Sequence, residues 1–204
     1  MIITSILEYD KRKVLIQVDE HCVFPLYKSE VNKWNLAEGC TMPLDIYADI
    51  MEKLLPKRVR LRAMHLLQRR SYTREGLRRK LTEGKYPEYI ISDALDYMES
   101  YHYIDDERYA EEYIRCYCEK RSKRRILQDL YGKGISNEVA EGAWQRYEAL
   151  NEPVDEEAQI RVLLQKKHYD AQCADHKETT RVMNYLYRKG YSIESIMRCM
   201  NILP

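Results

Sequence analysis

The sequence predicts a mainly helical protein, built as tandem three-helix repeats in an elongated curved array behind a small N-terminal β-hairpin or sheet. Three observations predict it. Short apolar runs rich in β-branched residues are confined to the first 26 positions. After residue 57 the apolar positions follow helical spacing, as in Val59, Ala63, Leu66 and Leu67, which is i, i+4, i+7, i+8 of one helix face. One helix ending recurs three times, in KLTEGKYP (80–87), DLYGKGIS (129–136) and YLYRKGYS (185–192).

Taken in order, residues 2–7, 14–18 and 22–26 read as strands, with Asp19-Glu20 as a turn and Pro25 placing its strand at a sheet edge or near a strand end. Ser29 is expected to cap a helix running through Trp34 and Leu36 to Gly39, and a second helix fits Leu44 to Leu55 before Pro56 interrupts. Gly84, Gly134 and Gly190 are each expected to take the left-handed conformation at a helix C-terminus. Anchored on Leu81, Leu130 and Leu186, the copies are spaced 49 and 56 residues apart, with apolar Leu77, Ile126 and Val182 four residues earlier. Each copy opens with its own helix (58–69, 107–119, 156–166) and closes with another, around Ile90-Ile91, Val139-Ala140 and Ile193-Ile196. The organisation is therefore 1–56 as an N-terminal segment, then repeats at 57–104, 105–150 and 151–204. One such unit buries little surface, so neighbours are expected to stack.

Charged residues make up 33% of the 204 and hydrophobic ones 45%, a folding composition with a heavily charged surface, since about 25% charged is usual. Net charge is only +1, but its distribution is uneven. Residues 1–56 hold six Lys and Arg against nine Asp and Glu, 57–134 hold nineteen against thirteen, and 135–204 hold nine against eleven. Within 57–85, eleven cations face only Glu75 and Glu83. A block of this kind focuses a field on phosphates even in a near-neutral protein. No run approaches the ~20 apolar residues of a membrane span, and no basic-then-apolar leader opens the chain. A cytoplasmic protein with no membrane association is expected. Six cysteines without C-x-x-C spacing read as free thiols.

No constellation points to catalysis, a metal or a cofactor. GKGIS (132–136) lacks the phosphate-loop spacing and reads as a helix cap and turn. Asp105-Asp106-Glu107 reads as the start of a helix, where the dipole favours acids. The five histidines form no i, i+4 pair. Binding is better supported. On the helix from Arg74 to Glu83, a buried Leu77/Leu81 stripe leaves Arg79 opposite and Arg78 and Lys80 on the flanks, and Arg69 and Arg70 end the preceding helix. Glu75 and Arg79 are ordered for an i, i+4 ion pair. Lys120, Arg121, Lys123, Arg124 and Arg125 occupy the equivalent place in the second copy. Each cluster alone reads as solvated surface; the recurrence points to a basic binding face. Eighteen tyrosines against one phenylalanine, seven of them near this region (Tyr72, Tyr86, Tyr101, Tyr103, Tyr109, Tyr113, Tyr117), are expected mainly to pack helices with the hydroxyl wet, with one or two at most stacking on bases.

Three ordered elements carry a family resemblance. Ala63, Leu66, Leu67, Arg70, Thr73, Leu77, Lys80 and Leu81 approximate A-x-x-L-L-x-x-R-x-x-S/T-x-x-E-L-x-x-K-L; YIDDERYA (103–110) matches Y-[IL]-D-D-x-x-[FY]-A; and Arg124, Arg125, Ile126, Leu130, Lys133, Gly134 and Ile135 match R-R-I-x-x-x-L-x-x-K-G-I. Across about residues 57–150 the chain resembles the RecX family. Two positions depart from it, Gly76 in place of a glutamate and Ser122 in place of a glycine. The resemblance implies a non-enzymatic, cofactor-free regulator in recombination, DNA repair and the SOS response, with tandem three-helix repeats. Its implied partner is the RecA filament on single-stranded DNA, whose extension, ATP hydrolysis and strand exchange it limits, with double-stranded DNA as a further partner and a monomer as the expected state. Arg69, Arg70, Arg74, Arg78, Arg79, Lys80, Lys120, Arg121, Lys123, Arg124 and Arg125 are the contact candidates. A helical DNA-binding protein acting without RecA would use the same charge, and an interaction scaffold would treat it as solubility.

Overall fold

The computed structural model describes residues 1–19, 22–151 and 153–202, in two compact units, 1–105 and 106–204. In the first, β1 (Ile3–Glu8), β2 (Lys13–Val18) and β3 (Cys22–Tyr27) form an antiparallel sheet in that order. Ile16 is paired with Ile6 on one side and Phe24 on the other. The alternation along β2 buries Val14, Ile16 and Val18, the period-2 pattern of a half-covered sheet. Pro25 lies on the edge strand β3, where a missing N–H is tolerated. Asp10 makes the β1–β2 turn, its Oδ1 accepting the backbone N–H of Arg12 (2.7 Å) and Lys13 (2.8 Å). Asp19 takes φ 48° after β2; its expected turn partner Glu20, and His21, lie outside the described residues.

Helices α1 (Lys28–Lys33), α2 (Leu44–Ala48), α3 (Leu55–Leu67), α4 (Arg74–Thr82) and α5 (Glu88–Ser100) complete the unit. The reading of 29–55 needs two corrections. Tyr27, not Ser29, caps α1, the Glu30 carboxylate reaching back to its N–H at 2.8 Å, and the helix stops at Trp34. Nor does Pro56 interrupt anything: α2 passes through a π-helical stretch, Asp49–Leu54, into α3, where Pro56 falls in the first turn. Proline is at home there, and the wider π ladder precedes the point where its N–H is missing. Sheet and repeat share one core, including Ile3, Ile16, Phe24, Leu55, Val59, Leu77, Leu81, Ile91 and Leu95. At about 1.5–3 kcal/mol for each such side chain taken from water, the strands are integral to the first repeat.

The second unit holds α6 (Asp106–Tyr117), α7 (Lys123–Gly132), α8 (Asn137–Leu150), α9 (Glu156–Lys166), α10 (His176–Arg188) and α11 (Ile193–Cys199). Its two small cores centre on Ile114, Ile126, Leu130 and Trp144, and on Ile160, Val182, Leu186 and Ile196. The repeat anchors Leu81, Leu130 and Leu186 are fully buried. Gly134 (φ 88°) and Gly190 (φ 93°) take the expected left-handed conformation. Gly84 does not; Lys85 takes it instead, at φ 57°. Gly84 is required for a different reason, because a Cβ there would lie 2.3 Å from the Tyr86 ring.

Candidate nucleic-acid interface

The two basic clusters are built differently. On α4, the Thr73 side chain caps the helix by accepting the N–H of Gly76 at 2.9 Å; Gly76 has no carboxylate to return the bond, so the capping box is half made. Leu77 and Leu81 are buried, while Arg78, Arg79 and Lys80 point outward as their register dictates. All four cations of this helix meet carboxylates. Arg74 spans Asp96 and Glu99 at 2.5 Å each, Arg78 pairs with Glu88, Arg79 with Glu75 at 3.0 Å, and Lys80 with Glu83 at 2.5 Å. Arg69 and Arg70 are exposed in the preceding turn, Arg70 with its guanidinium 4.5 Å from the centroid of Tyr72.

Around α7 the arrangement is more open. Ser122, fully buried, caps the helix by accepting the Arg125 N–H, and its own hydroxyl donates to the carbonyl of Lys189 at 2.8 Å. A Cβ on Gly190 would stand 2.6 Å from that hydroxyl. A serine where the family pattern has glycine thus joins the start of α7 to the end of α10. A second polar seam runs alongside: Gln159 donates to the Cys118 carbonyl at 2.6 Å and accepts from the Tyr191 hydroxyl at 2.9 Å. Burial pushes that hydroxyl up to about 12, so it stays a donor at neutral pH.

These seams bring the basic residues of two repeats to one cavity of about 420 Å³, lined by Lys120, Arg121 and Arg125 from the second repeat and Tyr185, Arg188 and Lys189 from the third. Arg121 and Arg125 share a single half-buried carboxylate, Asp129, at 2.6 and 3.0 Å. Lys120, Arg188 and Lys189 have no ion-pair partner among the described residues. The first turn of α7 carries Lys123, Arg124 and Arg125 and no acid. That opposes the helix dipole, which disfavours each cation at this end by about 0.3–1 kcal/mol. The Glu156 carboxylate at the start of α9 partly relieves the conflict, accepting from the Lys123 backbone N–H, while Ser122 takes the N–H of Arg125. Lys123 is partly engaged, 3.6 Å from Glu141 and over the Trp144 ring, and Arg124 lies over Tyr187.

Arg188, Lys189 and Tyr185 are absent from the candidates read from sequence. The signal was present in YLYRKG, but it sits at the C-terminal end of the middle helix, where cations suit the dipole, within a stretch that is acidic in total. Tyr109, Tyr113 and Tyr117 stack along α6, with centroids 6.5 and 4.5 Å apart, Lys133 over the first two and Arg121 over the third. Tyr101 and Tyr103 are exposed and stacked on one another.

Comparison with known proteins agrees with this architecture. Family models describing the first, second and third three-helix domains of RecX match residues 60–98, 105–143 and 155–200. The chain is 29% identical to the regulatory protein RecX of Clostridium acetobutylicum over 95% of its length and 92% of that protein's. It is 33% identical to the regulatory protein RecX of Vibrio vulnificus over 66% of its length and 85% of that protein's. A crystal structure of a regulatory protein RecX superposes with a TM-score of 0.61 at 21% identity, covering 99% of both chains. That of RecX from Lactobacillus salivarius gives 0.59 at 22% identity, over 73% of this chain and 98% of the other; at these identities the likeness is one of fold.

Proposed function

The chain belongs to the RecX family, whose members are regulators rather than enzymes, and from that premise we propose that it binds the RecA filament on single-stranded DNA and restrains its ATPase, extension and strand exchange. The observation that carries the reading furthest is the cavity where Lys120, Arg121 and Arg125 meet Arg188 and Lys189. Three of its five cations have no carboxylate among the described residues, and the basic first turn of α7 adjoins it. Phosphates supply the missing counter-charge. Arg69, Arg70 and Arg124, exposed and without an ion pair among the described residues, extend the contact set; Arg74 and Arg78 serve chiefly to hold α4 against α5, and Arg79 and Lys80 pair with acids of α4 and its end.

The test is the DNA-dependent ATPase of the cognate RecA on single-stranded DNA, titrated with substoichiometric amounts of this protein. Inhibition is expected, together with binding to the assembled filament. Unchanged ATPase and no filament binding overturn the RecA reading. Sequence-preferring duplex binding under those conditions would favour a DNA-binding protein acting alone.

A further inference from the structure

Helix α3 has two faces. One buries Leu55, Val59, Ala63 and Leu66 in the core. The other presents Lys57, Arg58, Leu61, Arg62 and His65, spaced three and four residues apart with no acid among them. This face is one wall of a cleft of about 830 Å³. The sheet supplies the facing wall through Tyr9, Lys13 and Tyr27, and the end of α4 the floor through Glu83, Gly84 and Tyr86. The walls are tied together: the Tyr9 hydroxyl donates to the Glu83 carbonyl, and Arg58, 14% exposed, pairs with Glu30 and lies over Tyr27.

The charge in this cleft is not balanced. Arg58 is neutralised by Glu30 and Lys80 by Glu83. Lys13, Lys57 and Arg62 have no ion-pair partner among the described residues. The remaining carboxylate, Asp10, is committed to two backbone N–H groups, which hold it below its ordinary range. Beside these cations Leu61 on the α3 wall is 57% exposed and Tyr9 on the facing wall 38%, so each wall offers an apolar surface among the cations. Cations arranged around a small apolar surface suit a phosphate joined to a flat ring. We infer that the cleft between the sheet and α3 is a nucleotide site, the phosphates on Lys13, Lys57 and Arg62 and the base against Leu61 and Tyr9. Its sheet wall and the start of α3, with Tyr9, Lys13 and Lys57, lie outside the residues matched by the family models, which begin at residue 60, and the inference does not depend on the RecA reading.

The experiment titrates the full chain with two probes, a fluorescent ribose-labelled ADP and a labelled oligo(dT), so that a free nucleotide and a strand are told apart. Three proteins are compared: the native chain, Lys13→Gln/Lys57→Gln/Arg62→Gln, and Lys120→Gln/Arg188→Gln/Lys189→Gln, each checked for unchanged melting. The first variant is expected to lose about tenfold or more in affinity for whichever probe the cleft takes, and for the strand to flatten the slope of log affinity against log salt by about 2. The second variant leaves ADP binding intact. Should the native chain bind neither probe, or Lys13→Gln/Lys57→Gln/Arg62→Gln bind both as the native chain does, the nucleotide site is wrong. Loss of strand binding in the second variant alone would support the other cavity and still refute this one.

Discussion

Helix α4 of the first repeat and helix α7 of the second carry similar basic clusters in sequence and opposite electrostatics in space. Around α4, carboxylates from its own helix and from α5 meet Arg74, Arg78, Arg79 and Lys80. Beside α7, two arginines share Asp129, and the third repeat adds Arg188 and Lys189 to the same cavity instead of acids. Exposed pairs contribute only about 0–1 kcal/mol of stability each, yet they decide which charges a partner meets unscreened. A cluster's function therefore depends less on its own residues than on what the next helix brings to it.

The sharpest way to break this contrast is to neutralise each cluster in turn. Lys120→Gln/Arg188→Gln/Lys189→Gln should raise the concentration needed for half-inhibition of the RecA ATPase by about tenfold or more, whereas Arg78→Gln/Arg79→Gln/Lys80→Gln should raise it by about threefold or less. Equal losses would remove the distinction. Next in size is the joint that builds the cavity. Gly190→Ala puts a Cβ against Ser122 at a residue with φ 93° and should cost about 2 kcal/mol in chemical denaturation. By contrast, Gly132→Ala, at the last residue of α7 with open space around it, should be neutral or stabilise by about 0.5–1 kcal/mol. Asp129→Asn frees Arg121 and Arg125. It should lower stability by about 1–2 kcal/mol, held down by the exposure of both guanidiniums, while strand affinity measured by anisotropy rises. The smallest effect belongs to Glu75→Gln, which removes an i, i+4 pair with Arg79 and should shift the unfolding free energy by about 0.2–0.5 kcal/mol.

Much of the fold was legible because local rules agree with one another. Leu77/Leu81, Ile126/Leu130 and Val182/Leu186 mark the middle helix of each repeat, and all six are buried. Glycines 134 and 190 mark two of its ends. Legibility stopped where the cause was distant. Nothing local to Pro56 announces that a π-helical stretch lets the chain run through it, and the need for Gly84 comes from the ring of Tyr86. The candidate site was half legible for the same reason. Charge and register put Lys120, Arg121 and Arg125 on the surface, but the acids that occupy Arg74 and Arg78 lie ten to twenty-five residues away. Arg188 reaches the cavity of Lys120 through the long-range contacts of Ser122 with Lys189 and of Gln159 with Cys118 and Tyr191.

The most direct test of the cavity as the anion-binding surface is the salt dependence of binding to single-stranded DNA, measured by fluorescence anisotropy for the native chain and for Lys120→Gln/Arg188→Gln/Lys189→Gln. Three lost phosphate contacts should flatten the slope of log affinity against log salt by about 2, with melting unchanged. An identical slope in the two proteins would contradict the assignment and return Lys120, Arg188 and Lys189 to the solvated surface.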